Sequence, residues 1–165
     1  MNNNVLIACV GNIFLGDDAF GCEVATRLLA KPLPSHVKVI DFGIRSIDLV
    51  YALLDATETT ILVDATPRGA VPGTLYVIEP DLDSLGDGTG GFESHTMDPI
   101  RVLKMAKEQG AELGRVLVVG CEPAFTGEDG DGHMGLSGDV EAAIDTAVDK
   151  VLELVNANKL VALPA

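Results

Sequence analysis

The sequence predicts an α/β fold with a mostly parallel sheet, and three observations support this class. Short apolar runs that are typical of buried strands alternate along the chain with segments of helical periodicity. The chain has no Trp and only 4% aromatic residues, so its core must consist of Val, Leu, Ile and Ala, which suit parallel strands buried on both faces. Its 165 residues are enough for one domain with a substantial core, and we expect a single domain over residues 1–165.

The first part of the chain alternates two strands with two helices. The continuous apolar run Val5–Val10 predicts a buried strand. Helical periodicity over Asp17–Lys31, which two prolines end, leads to a second strand at Val37–Phe42. Ser46–Leu54 is predicted as the second helix, because its apolar residues recur with helical spacing.

The middle of the chain contains two further predicted strands. Ile61–Val63 is a short buried run, and Gly73–Ile78 follows a Pro-Gly turn. The connection between them is too short for a crossover helix, so the fourth strand is predicted to be antiparallel or to lie at an edge. The Gly-, Asp- and Ser-rich segment Asp81–Ser94 is predicted to be a loop.

The last part of the chain completes the sheet. Pro99 favours the first turn of a helix that runs to about Gln109. Val116–Val119 is the fifth predicted strand, Thr126–Gly135 is a second acidic loop, and Ser137–Asn156 is a long final helix. This alternation predicts a mostly parallel five-stranded sheet with helices on both faces and with one antiparallel strand.

The charge balance excludes several classes of partner. The chain has 11 Lys and Arg against 25 Asp and Glu, which gives a formal net charge of −14. Such a surplus of carboxylates repels phosphate backbones and anionic lipid headgroups, so we expect no nucleic-acid partner and no membrane partner. No apolar run approaches the roughly 18 residues needed to span a bilayer.

The cysteines and the N-terminus indicate the compartment. Cys9, Cys22 and Cys121 are odd in number and widely spaced, unlike a disulfide framework. Met1–Asn4 lacks the basic and apolar regions of a signal peptide, so we expect a cytoplasmic protein. Because the three cysteines fall within or beside the predicted strands or face the sheet, they are predicted to be small buried hydrophobic residues rather than nucleophiles.

The loop after the first strand lies where a dinucleotide-binding fingerprint would occur. Residues Gly11–Gly21 contain no G-x-G-x-x-G sequence. Asp17 and Asp18 would place two carboxylates where a pyrophosphate needs bare N–H groups. Although Asp41 ends the second predicted strand as a ribose-binding acid would, we expect no NAD or FAD.

The two acids at the start of the first helix have a structural and a functional interpretation. Acids in a first turn stabilise a helix, and one of Asp17 and Asp18 is expected to cap it. In helical projection Asp18 shares a face with Cys22, Ala25 and Leu29, which is predicted to pack on the sheet. A carboxylate at that position is costly unless it finds a cation, so Asp18 is a candidate functional residue.

Two more candidates are predicted at the carboxyl edge of the sheet. Asp64 directly follows a buried strand, although a turn role would also explain it. His95 precedes the helix that begins near Pro99, where a cap or a surface position is the alternative. Together Asp18, Asp64 and His95 would supply two carboxylates and one imidazole, a set that suits Zn²⁺ or Ni²⁺ with open coordination positions. Their spacing leaves open whether they converge.

A series of short motifs spans nearly the whole chain in order. They are Val10-Gly11-Asn12 through Asp17-Asp18 to Gly21, Asp41-Phe42-Gly43, Val63-Asp64-Ala65, Pro72-Gly73-Thr74, Ser94-His95, Val119-Gly120 with Pro123, and Gly135-Leu136-Ser137. With these motifs the chain resembles the hydrogenase maturation proteases, the endopeptidases that trim the C-terminal extension from the large subunit of nickel-iron hydrogenases. It departs from them at Asp41–Arg45, where many relatives have Asp-Gly-Gly-Thr.

The resemblance implies a fold, a site and a partner. The family fold is a three-layer α/β/α sandwich around a mixed sheet. The resemblance assigns metal binding to Asp18, Asp64 and His95, and the metal is nickel carried by the hydrogenase large-subunit precursor, for which zinc or a similar divalent ion could substitute. Either the metal activates the attacking water, or Asp18 or Asp64 acts as the catalytic base.

We therefore expect a nickel-dependent processing endopeptidase for a hydrogenase large-subunit precursor. The alternatives are a non-catalytic chaperone that binds the nickel-loaded precursor and a small-substrate metallohydrolase. Neither a G-x-S-x-G nucleophile elbow nor an H-E-x-x-H zinc motif occurs in the chain. The acidic segment Gly127–His133 departs from the EF-hand pattern, which leaves a solvated loop or one that helps to choose the partner.

Overall fold

The computed structural model describes residues 3–55, 57–84, 98–125 and 134–161, with side chains in the last range described as far as residue 157. Within these residues, strands and helices alternate along most of the chain. The elements are β1 (Val5–Val10), α1 (Phe20–Leu29), β2 (Val37–Gly43), α2 (Ser46–Leu54), β3 (Thr59–Ala65), β4 (Leu75–Ile78), α3 (Pro99–Glu108), β5 (Arg115–Cys121) and α4 (Gly138–Val161), with short 3-10 turns at Gly16–Ala19 and Leu82–Ser84.

The five strands form one sheet in the order β2-β1-β3-β5-β4. β1 pairs in parallel with both β2 and β3, and β3 pairs in parallel with β5. β4 is antiparallel to β5 and lies at the edge, as the short connection after β3 predicts. The predicted mostly parallel five-stranded sheet with one antiparallel strand is confirmed.

Two aliphatic cores cover the two faces of the sheet. On one face α1 and α4 pack against β-strand side chains such as Ile7 and Ile61. On the other face α2 and α3 pack against side chains such as Leu6 and Leu62. The protein is therefore a three-layer α/β/α sandwich, as expected.

The start of α1 differs from the prediction. The helix begins at Phe20 rather than Asp17, because Gly16–Ala19 form a tighter 3-10 turn. The residue at the N-cap of α1 is Ala19, so neither Asp17 nor Asp18 occupies the predicted capping position of this helix. Of the face predicted to pack on the sheet, Cys22 and Ala25 are buried, but Leu29 is 60% exposed, because it lies in the last turn of the helix.

The third strand begins earlier than predicted. Thr59 and Thr60 belong to it and are buried, although they lie outside the apolar run Ile61–Val63 that predicts the strand. The hydroxyl of Thr60 lies 3.2 Å from the hydroxyl of Thr57, so one hydroxyl donates to the other and the buried group is satisfied.

The two predicted loops lie largely outside the described residues. Of the first, residues 81–84 are described, and of the second only residues 134 and 135. The interpretations of Gly127–His133 therefore stay predictions. Among the described helices, none is long and apolar enough to cross a membrane.

Candidate active site

The carboxyl ends of β1, β2 and β3 meet at one edge of the sheet. At the end of the β1–β2 pair, Cys9 lies opposite Asp41 and Val10 lies opposite Gly43, so the register shifts at this point. Such irregularities are common beside active sites, where they redirect side chains. The N–H of Gly11 donates to the carbonyl of Gly43 at 3.0 Å, which fixes the loop after β1 against the end of β2.

Asp18 lies in the 3-10 turn that follows this loop. Its N–H donates to the carbonyl of Leu15 at 3.1 Å. The N–H of Asn12 lies 3.2 Å from the carbonyl oxygen of Asp18 and 3.1 Å from its Oδ2. The half-buried Asp18 side chain is thus oriented by the loop after β1.

Asp64 lies near the end of β3 and is 8% exposed. Burial raises the pKa of its carboxyl group well above the ordinary value, and the nearby charge of Asp18 raises it further. A hydrogen bond from the backbone of Ala65 lowers this pKa in part, and the charge of Asp98 raises it. The charge of Asp18 thus acts on Asp64, although Asp18 follows β1 and Asp64 lies in β3.

His95, the third predicted site residue, lies outside the described residues. In the part of the chain that the structure describes, no group of three or more His, Cys, Asp and Glu side chains is arranged to hold a metal ion. The charge of Asp18 acts on Asp64, and the roles of Asp18, Asp64 and His95 as metal ligands stay predictions.

The carboxylate pair fits a divalent cation by its donor chemistry. Two like charges in a largely buried setting repel each other, which the raised pKa of Asp64 reflects. A divalent cation between them would relieve this repulsion, and carboxylate oxygens are ordinary ligands for such ions. Asp18 and Asp64 would hold the ion.

Cys22 and Asp41 lie beside the pair and were not predicted as site residues. The Sγ of Cys22 donates to the carbonyl of Gly11 at 3.6 Å. Burial, together with the charge of Asp41 and a hydrogen bond to it, raises the pKa of the Cys22 thiol to about 12. Asp41 also accepts a hydrogen bond from the N–H of Gly43 at 2.9 Å. Asp41 thus forms hydrogen bonds with both Gly43 and Cys22 at this edge of the sheet.

None of the three thiols is suited to be a nucleophile. Burial raises the pKa of Cys9, and it raises the pKa of Cys121 to about 11. All three cysteines are free and buried. Because only the thiolate is a strong nucleophile, these groups are inert near neutral pH, as their interpretation as small buried hydrophobic residues predicts.

Asp17 has a structural role that sequence reasoning missed. Its side chain is fully buried. Its carboxylate accepts hydrogen bonds from the N–H groups of Ala124, Phe125 and Ser137 and from the Ser137 hydroxyl. Asp17 therefore joins the turn that carries Asp18 to the segment after β5 and to the start of α4.

Glu122 is a second buried carboxylate at this edge that was not predicted. It accepts hydrogen bonds from the N–H groups of Arg68 and Gly69 at 2.8 and 3.0 Å and from the Tyr76 hydroxyl at 2.7 Å. Burial alone would raise the pKa of Glu122, but these hydrogen bonds lower it below the ordinary value. Glu122 thereby orders the loop that follows Asp64.

The fold and the site together define a class of α/β protein with buried carboxyl groups at the carboxyl edge of the sheet. The family model for hydrogenase maturation protease (HycI) matches residues 22–154, a range that includes Asp64 and His95 and begins just after Asp18. The chain therefore belongs to the hydrogenase maturation protease family, as the motifs suggest, and it is a peptidase.

Individual relatives agree with this family. A protein of Methanocaldococcus jannaschii assigned as a hydrogenase maturation protease is 36% identical over 152 residues, which cover 90% of this chain and 94% of the relative. The hydrogenase 3 maturation protease of Escherichia coli is 32% identical over 125 residues, 74% of each chain. The crystal structure of the hydrogenase 2 maturation peptidase from a Thaumarchaeota archaeon has a TM-score of 0.69 at 32% identity, and the match covers 92% of this chain and 97% of that one.

Proposed function

We propose that this protein is the endopeptidase that removes the C-terminal extension from the large-subunit precursor of a nickel-iron hydrogenase after nickel insertion. The observation that carries this proposal is the buried Asp64 near the end of β3, on which the charge of Asp18 acts, in a member of a protease family. The cleavage of a peptide bond needs a water molecule, a proton acceptor and a means to orient the substrate, and this pair supplies the acceptor.

The carboxylate pair is suited to proton transfer. Because burial and the charge of Asp18 raise the pKa of Asp64, the ionised form of this group is a stronger base than an exposed carboxylate. As the water oxygen bonds to the carbonyl carbon of the scissile peptide, one carboxylate accepts a proton from the water. The proton then passes to the leaving amine as the C–N bond breaks, so the carboxylate is regenerated.

Nickel enters this scheme as part of the substrate. Two carboxylates and an imidazole leave coordination positions open, so Asp18, Asp64 and His95 would share an ion that thiolates of the precursor already hold. The charge of Asp98, which follows His95 by three residues in the sequence, acts on Asp64. Zinc or a similar divalent ion would substitute in vitro.

Intact-mass measurement of the precursor tests the proposal. The protein is incubated with large-subunit precursor with and without nickel, and we expect the loss of a C-terminal peptide only with nickel. Asp18→Asn, Asp64→Asn and His95→Gln should each abolish this loss, whereas Asp55→Asn, an exposed acid at the opposite edge, should leave it unchanged. Nickel-dependent binding without a mass change would favour the chaperone, and full cleavage by Asp64→Asn would exclude the carboxylate mechanism.

We also place this activity in a reducing compartment, the cytoplasm. The three cysteines are free, so the described fold needs no disulfide. The partner is the hydrogenase precursor alone, because a net charge of −14 opposes binding to nucleic acids and to anionic membranes.

A further inference from the structure

We propose that Asp17 is a positioning residue for this reaction: its buried carboxylate fixes the turn that carries Asp18, and so sets the position of Asp18 relative to Asp64. The inference rests on the proposed function for its kinetic consequence. Its structural part rests on hydrogen bonds and packing alone.

Four hydrogen-bond donors surround the carboxylate of Asp17. The Oδ2 atom accepts from the N–H of Ala124 at 2.8 Å, from the N–H of Phe125 at 3.4 Å and from the Ser137 hydroxyl at 2.9 Å. The Oδ1 atom accepts from the N–H of Ser137 at 2.7 Å. Because the side chain has no exposed surface, water cannot replace these donors.

Ser137 links Asp17 to the start of α4. The Ser137 hydroxyl donates to Asp17 and accepts from the N–H of Val140 at 3.5 Å, so it caps the helix while it holds the turn. The N-terminus of a helix carries a partial positive charge, which favours a carboxylate in this place. Asp17 is thus held by the start of the 24-residue helix α4.

The ring of Phe125 packs against the turn that contains Asp17 and Asp18. A Cβ atom on Gly16 would lie 2.5 Å from the Phe125 ring, and Gly16 has a left-handed φ of +56°. The aromatic ring therefore lies directly on the residue that precedes Asp17. Phe125 therefore contacts the turn twice: its N–H donates to Asp17, and its ring packs against Gly16.

These contacts act on Asp18 through the backbone. Asp18 directly follows Asp17, and its own N–H and carbonyl bond within residues 12–18, which form one compact loop. This loop is joined to α4 and to the segment after β5 through Asp17. A looser turn would let Asp18 move relative to Asp64, which the central strand β3 holds rigidly.

Asp17→Asn is the most direct test, because the two side chains have the same size. Both carboxylate oxygens face only donors, so the amide NH₂ of Asn must face a donor in either orientation. We expect kcat for nickel-loaded precursor to fall about 10- to 100-fold, since small misplacements of catalytic groups have effects of this size. KM should change less than about threefold, because precursor binding does not involve the buried group.

The control variant lowers stability without touching the turn. Val151→Ala removes two methyl groups from the core beneath α4, at a fully buried position. It should lower the melting temperature but keep kcat at 15 °C, whereas Asp17→Asn should lose kcat at the same temperature. Equal kcat for Asp17→Asn and the parent at 15 °C would overturn the inference.

Hydrogen exchange supplies a readout that is independent of cleavage. In Asp17→Asn, amide exchange should increase at least about tenfold in peptides covering residues 11–19, while peptides from β1 and β3 stay protected. Val151→Ala should leave the 11–19 peptides unchanged. If the parent does not cleave nickel-loaded precursor, the proposed function fails, but exchange still decides whether Asp17 fixes the turn; unchanged exchange would overturn that role.

Discussion

Gly21 faces the carbonyl oxygen of Val10 so closely that a Cβ at Gly21 would lie 2.2 Å from it. The same atom would lie 2.6 Å from the carbonyl oxygen of Val63. The first turn of α1 therefore packs directly on the ends of the two central strands that precede the candidate catalytic loops. Any side chain here would push the helix away from the site.

Gly21→Ala should destabilise the protein strongly. The new methyl group meets backbone atoms of β1 and β3, which cannot rotate away, so we expect a loss of about 3 kcal/mol, the upper end for overpacking. Urea denaturation measures the change. Gly138→Ala is the matched control: nothing lies within 4 Å of a Cβ there, and its effect should stay within about 0.5 kcal/mol. Similar losses in both variants would contradict this account of the packing.

Asp64→Asn should stabilise the metal-free protein at neutral pH. The raised pKa of Asp64, caused by burial and then by the charge of Asp18, means that the folded protein binds the proton more tightly than the unfolded chain. Stability due to this group is therefore lost as the pH rises from the ordinary carboxyl range through the raised pKa. The gain should therefore be largest above the raised pKa of Asp64.

The pH dependence of the free energy of unfolding tests whether Asp64→Asn stabilises the protein. The difference in the free energy of unfolding between Asp64→Asn and the parent should be near zero at about pH 3 and should grow with pH. Asp55→Asn, at an exposed position, should follow the parent throughout. If the parent is more stable than Asp64→Asn at pH 7 in the presence of a chelator, the ionised Asp64 does not destabilise the folded protein, and the prediction is wrong.

Glu122→Gln should loosen the loop that follows β3. Its lowered pKa means that the stability it supplies is present above the ordinary carboxyl pKa and is lost as the pH falls through the lowered value. At pH 7.5 the variant should be cut by trypsin after the exposed Arg68 about tenfold faster, because a charged acceptor of two N–H groups is lost. Tyr76→Phe, which removes one donor, should show a smaller increase.

The thiols should be unreactive in the native protein. With pKa values of about 12 and 11 for Cys22 and Cys121, and burial of all three groups, we expect negligible labelling by iodoacetamide at pH 8 within an hour. Three thiols should label after unfolding in urea. Treatment of the native protein should leave precursor cleavage unchanged, and inhibition that parallels labelling would favour a cysteine nucleophile.

The elements that the sequence predicted well are those with local signals. Val5–Val10 and Ser46–Leu54 have the predicted bounds, because an unbroken apolar run defines the first and helical periodicity defines the second. Pro99 begins α3, and the carboxylate of Asp98 caps it. Asp64 at the end of β3 followed from the same logic, since an acid after a buried parallel strand must lie at the carboxyl edge.

The residues that were missed depend on distant partners. Local signals make Asp17 a candidate helix cap together with Asp18, but its donors at Ala124 and Ser137 come 107 and 120 residues later in the chain. Glu122 carries no local signal in the sequence, because its donors at Arg68 and Gly69 come 54 and 53 residues earlier. Local periodicity contains no information about such contacts.

The placement of the candidate residues at one edge of the sheet has a practical consequence for handling this protein. The turns that lead into β2, β3 and β5 lie at the other edge, because these strands are parallel. Gly110 is exposed there, and nothing lies within 4 Å of a Cβ at this position. A fluorophore or a surface-immobilisation tag inserted at this turn would therefore leave the opposite edge open to a macromolecular substrate.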